Sequence, residues 1–249
     1  MHIRAILNRR SVSPFGFLKQ IVLLVAAKPR TTCTRPLSIR LSPSILDAIV
    51  SAMVSNAGGD GTKVECHTLA NHAYEEEDAM SAGSVVASHL ERGASDSTWI
   101  FEHWEGILAK RAGQELNYFN LDDFSVPYGY APVLLATPET VSAVSTKAFL
   151  AATAEGWRRA AADPPKAAAA LCACGHPSLA DAAFVEASAV ALKDAILTPD
   201  GQWGCMDEAR WTAFVDFLAD KNILTDRAGN AIAREAVDVA ALFTNSALP

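Results

Sequence analysis

The sequence predicts an α/β lobe followed by a run of helices. Up to about residue 137, short apolar runs of strand length alternate with segments of helical periodicity, the sign of a mostly parallel sheet covered by helices. After Pro138 only helical periodicity remains. Half of the 249 residues are apolar, so the chain can bury a sizeable core.

The elements follow in order. "SILDAIVSAMVSNAGGDG" sets Ile45, Ile49, Ala52 and Met53 at helical spacing, with Ser44 as N-cap and Gly58-Gly59 as the stop. "TKVECHTL" reads as a short strand. "EEEDAMSAGSVVASHLERG" reads as a helix whose acidic opening suits the positive end of its dipole. "STWIFE" is a strand of buried type, "HWEGILAKRAG" a helix, and "LNYFNL" and "APVLLAT" two further strands. Then "STKAFLAATAEGWRRAAAD" lines up Phe149, Leu150, Thr153 and Trp157 on one stripe, and a proline break leads into "PPKAAAALCACG". "SLADAAFVEASAVALKDAIL" and "MDEARWTAFVDFLADKNIL" complete the helices.

Charge divides the chain. The net charge is -7, which argues against a nucleic-acid surface. From Met1 to Leu46 there is no Asp or Glu but eight Lys and Arg, leaving 13 basic against 28 acidic residues beyond, near -15. Residues 1–43 therefore read as a basic leader and 44–249 as the folded lobe with its helical region. An arginine-rich, hydroxyl-rich leader without acids fits an organelle transit peptide, and equally a misplaced start codon. The first places the protein in a plastid or mitochondrion, the second in the cytoplasm. "IVLLVAA" is too short to span a bilayer, which takes roughly 20 residues, so no transmembrane segment is expected.

Five cysteines make no disulfide framework. "CACGH", Cys172 to His176, carries zinc-type ligands, but its spacing fits a helix end stopped by Gly175 better than a metal knuckle. "SNAGGDGTK" lacks P-loop spacing and reads as a helix stop and turn. Lone His67, His72, His89 and His103 are assigned no role, and neither a metal site nor a catalytic residue is expected.

The candidate site lies beyond the carboxyl ends of the strands, where open α/β sheets hold ligands. Trp104 beside Glu105 offers a flat face and an anionic acceptor, suited to a planar heterocycle carrying amino groups, such as an aminopyrimidine. The alternative is a core indole and a solvated carboxylate in a first helical turn. Tyr128 and Tyr130, two apart on an extended segment, face one side and form a wall, while Gly129 admits a ligand to the backbone. The alternative there is packing at a domain edge.

These stretches resemble the thiamine-pyrimidine precursor binding and synthesis family, which has the two-lobed type II periplasmic-binding-protein fold. The resemblance rests on "IVSAMVSNAGGDG", "WIFEHWEGILAKRAGQELNYFNLDDFSVPYGYAPVLLATPE", "AFLAATAEGWRRAAADP", "GQWGCMDEARWTAFVDFLADKNIL" and "LFTNSALP", in family order from about Ile45 to Pro249. It implies a second lobe plus C-terminal helices, with Trp104, Glu105, Tyr128 and Tyr130 gripping a small-molecule pyrimidine for thiamine (vitamin B1) biosynthesis or salvage. In the family a first lobe precedes the helix matching "ILDAIVSAMV", and here the leader stands in its place. The fungal-type members synthesise the pyrimidine with pyridoxal phosphate and iron, consuming their own histidine, and carry a cysteine-rich run where this chain reads "VPYGYAP". The resemblance therefore points to a binding protein without a cofactor. A hydroxymethylpyrimidine phosphate synthase, or an inactive fragment of one, remains the alternative. A homodimer would cover the face that a first lobe would otherwise meet.

Overall fold

The computed structural model describes residues 45–66, 90, 96–130, 132–226 and 228–249, together with the backbone of 22–27 and 38–39. The Ser44 cap, the 75–93 helix apart from Leu90, Cys33, His67, His72 and His89 lie outside the described residues. Five strands make one sheet: β1 (Val22–Ala27), β2 (Ser38–Ile39), β3 (Glu65–Cys66), β4 (Ser97–Phe101) and β5 (Leu116–Asn120), in the order β3-β2-β4-β1-β5. β2 runs parallel to β3 and β4, whereas β1 is antiparallel to both β4 and β5. Four strands thus share one direction and β1 alone is reversed.

β1 lies within the sequence read as a leader. "VLLVAA" has the length and charge-free character of a strand, and it bridges β4 and β5. The "APVLLAT" strand, by contrast, does not form. Residues 132–137 join no ladder, and Leu134 and Leu135 are 57% and 93% exposed. An extended apolar run becomes a strand only where a neighbour completes its hydrogen bonds.

Helix α1 (Ile45–Asn56) buries Ile49, Val50, Ala52 and Met53. They pack with Leu121, Val126 and Phe217, with Trp99 and Phe119 of the sheet at the margin. Gly58 ends the helix at φ +84, where its N–H reaches the Ser55 carbonyl and that of Gly59 the Val54 carbonyl. This is the double closure that a left-handed residue permits. Asp60 then caps the next turn through Thr62, so "SNAGGDGTK" is a helix stop and turn, as expected.

A second cluster holds α2 (Ile107–Arg111) against α5 (Pro164–Cys172) and α6 (Ala182–Leu192) through Leu108, Ala168, Phe184 and Val185. α5 stops at Gly175, at φ +72, with Pro177 behind it. Short α3 (Pro138–Val141) leads into α4 (Val144–Ala162). The stripe read on α4 is not core: Phe149 and Trp157 are 57% and 40% exposed, and the helix docks through small Ala154. α7 (Glu208–Asp220) closes over the first cluster through Phe217.

Asp181 ties α2 to α6. Its carboxylate accepts from Arg111 at 2.7 Å and caps α6 through the Phe184 N–H at 2.9 Å. The Arg111 hydrogen bond, and then the Phe184 N–H, hold its pKa below the usual carboxylate value. A folded pKa lowered in this way stabilises above the unfolded value, about 3.9, and the contribution disappears as pH falls through the folded value. Asp181→Asn keeps the cap but loses the ion pair. Urea unfolding should show a loss of about 0.5 kcal/mol at pH 7, the scale of a partly exposed pair, and a loss that shrinks as the pH falls through the lowered carboxylate pKa.

Candidate functional site

β4 and β5 both run antiparallel to β1, so their carboxyl ends lie at the same edge of the sheet. Val22 faces Phe101, and Leu23 faces both Ile100 and Asn120. Two strand spacings, about 10 Å, separate the β4 and β5 ends. The "EHWEG" turn leaves the first and the 121–130 segment leaves the second.

Beyond Phe101 the chain winds one π-type turn, Glu102–Gly106, before α2 begins. Such wide turns often occur at functional sites. Glu105 is only 4% exposed, and its Oε2 accepts the Phe101 N–H at 2.8 Å. The carboxylate folds back onto the strand end, so the solvated alternative is not what forms. Burial pushes His103 down, partly opposed by Glu105, and its ring lies 5.8 Å from that of Phe101. Trp104 meets Phe184 edge-on, with centroids 4.9 Å apart and an interplanar angle of 89°, inside the α2–α5–α6 cluster.

Beyond Asn120, a short turn over Asp122–Phe124 closes with Ser125 in the left-handed region at φ 54. The Val126 N–H reaches back to the Leu121 carbonyl, and Val126 is buried in the core. Both tyrosines pack against α7. Tyr128 lies 5.7 Å from Phe214 and 6.0 Å from Trp99. Tyr130 lies 5.7 Å from Trp211, and its hydroxyl accepts the Asp207 N–H at 2.7 Å. Burial pushes both phenols up; at Tyr130 the Asp207 N–H and Arg210 oppose it.

Arg210, not singled out from the sequence, clasps this segment. Its Nε donates to the Tyr128 carbonyl at 3.0 Å, a second nitrogen reaches the Gly129 carbonyl at 3.5 Å, and the guanidinium carbon lies 4.7 Å from the Tyr130 ring centre. Gly129 also has a different reason from the one read in sequence. A Cβ there would stand 2.6 Å from Phe214 Cδ1, so the missing side chain admits helix α7 rather than a ligand.

The four expected residues thus share one sheet edge but divide locally. Trp104 turns towards α6, Glu105 lies within its own turn, and the tyrosines line α7; no ring contact joins Trp104 to either tyrosine. An open hollow on the outer side of α7, lined by Glu208, Ala209, Thr212, Ala213 and Asp216, includes none of the four. Among the described residues no three His, Cys, Asp or Glu gather to suit the iron of the synthase alternative, and neither 97–106 nor 116–130 contains a lysine for pyridoxal phosphate.

A family model described as NMT1/THI5 like matches residues 39–167, just over half of the chain. The match spans β4, the π turn, α2, β5 and the tyrosine segment. No curated protein matches the chain.

Proposed function

Because the chain belongs to the NMT1/THI5-like family, which includes thiamine-pyrimidine precursor proteins as well as other binding proteins, we propose that it binds an aminopyrimidine precursor of thiamine. Its α/β lobe supplies one wall of the binding site. The observation that carries this reading is the shared edge: the Trp104-Glu105 turn and the Tyr128-Tyr130 segment leave neighbouring carboxyl ends on either side of β1.

The chemistry supports a flat, amino-bearing ligand. The Phe101 N–H fixes the orientation of the Glu105 carboxylate through Oε2. A carboxylate so little exposed to water attracts a donor more strongly than a solvated one. Across the edge, Tyr128 and Tyr130 are half-buried and their ring planes are held by α7. Rigid aromatic faces bind planar rings at small entropic cost.

Calorimetric titration with a hydroxymethyl aminopyrimidine tests the reading. A saturable heat of binding supports it, and a flat titration against folded protein overturns it.

A further inference from the structure

Residues 243–248 connect to Tyr130 by two routes. In the first, the Asn245 side chain pairs with both backbone groups of one residue: Oδ1 accepts the Met206 N–H at 2.9 Å, and Nδ2 donates to the Met206 carbonyl at 2.8 Å. The next backbone N–H, that of Asp207, donates to the Tyr130 hydroxyl at 2.7 Å. In the second, Phe243 stacks on Trp211 with centroids 6.4 Å apart and an interplanar angle of 18°, and Trp211 lies 5.7 Å from Tyr130. Ala247 is buried and Leu248 lies against Gly204, so the segment is held after Asn245 as well as before it, at Phe243.

We propose that Asn245 is a positioning residue for the ligand wall: it sets the Met206–Asp207 backbone and, through it, the Tyr130 hydroxyl. The proposal rests on Tyr130 contacting the ligand, as read above. Asparagine suits the task because its amide carries one acceptor and a donor group, matching the N–H and carbonyl of a single residue. Aspartate keeps the acceptor and turns a negative oxygen towards the Met206 carbonyl, so it supports only half of the pairing. The paired groups are exposed, and the backbone they hold carries the N–H bound by Tyr130. Asn245 is therefore tied to one side chain of the site more than to the core.

The experiment is fluorine NMR of the full chain grown with fluorotyrosine. Tyr130→Phe assigns the Tyr130 resonance among those of the chain's four tyrosines. Asn245→Ala is expected to shift that resonance while leaving the Tyr118 resonance in place, and to weaken hydroxymethyl aminopyrimidine binding by about tenfold. An unmoved Tyr130 resonance in the folded variant overturns the proposal, as does unchanged affinity. If Asn245→Ala fails to fold, Asn245→Asp is read in the same way, and failure of both to fold overturns the positioning role in favour of a purely structural one. If wild type binds no pyrimidine, the functional reading fails, while the resonance still decides whether Asn245 sets Tyr130.

Discussion

Gly129→Ala should destabilise the protein by about 1–3 kcal/mol, the usual cost of overpacking a filled contact. The added Cβ would sit 2.6 Å from Phe214 Cδ1 and 2.9 Å from Cε1. The ring cannot swing aside freely, because it packs edge-on to Tyr128 at 5.7 Å. Helix α7 must therefore lift or the tyrosine segment must shift, and either movement strains the Arg210 clasp. Shortening the opposing side chain should relieve the clash, so Gly129→Ala combined with Phe214→Leu should cost less than the sum of the two single changes. Contacting residues show such non-additivity. Urea unfolding of all four proteins measures it. Strictly additive costs would show that the clash is not the cause.

Arg210→Ala should cost about 1.5–3 kcal/mol, the range for hydrogen bonds to a charged group. The guanidinium holds two successive carbonyls of the tyrosine segment and lies over the Tyr130 ring. Lysine keeps the charge but has no planar fork to span two carbonyls while stacking on the ring. Arg210→Lys should therefore recover less than half of the loss in the same unfolding measurement. Full recovery by lysine would mean that only the positive charge matters. Because the clasp holds the backbone of the tyrosine segment and lies over the Tyr130 ring, Arg210→Ala should also lower pyrimidine affinity.

Much of the fold was legible because it depends on local signals. Helical spacing located α1, and its Gly58 stop could be read from glycine's tolerance of a left-handed turn. The apolar strands ending at Phe101 and Asn120 were likewise readable as strands. What could not be read depended on partners distant in sequence. "VLLVAA" and "APVLLAT" look alike as apolar runs, yet only the first has neighbours that complete its ladder. The α4 stripe of Phe149 and Trp157 has core periodicity, but Ala154 makes the buried contact.

The site divides along the same line. Sequence spacing put Tyr128 and Tyr130 on one side, and both do pack against α7, but so does Gly129 between them, so the segment does not alternate as a strand would. The spacing gave no indication that this side faces α7, because Arg210, Phe214 and Asn245 stand roughly 80 to 117 positions further along the chain. Gly129 was read as an opening for ligand because a glycine between aromatics signals close approach without saying what approaches. Here it is Phe214.

The central claim is that the lobe holds an amino-bearing pyrimidine at the carboxyl edge of β4 and β5 through the Glu105 charge. Calorimetric titration of wild type beside Glu105→Gln tests it most directly. Glutamine retains the size of glutamate and an oxygen that can accept the Phe101 N–H, while the charge and the second acceptor oxygen are removed. Wild type is expected to bind saturably and the variant at least about tenfold more weakly, about 1.4 kcal/mol. Equal affinity in the two folded proteins, or no binding by either, would contradict it.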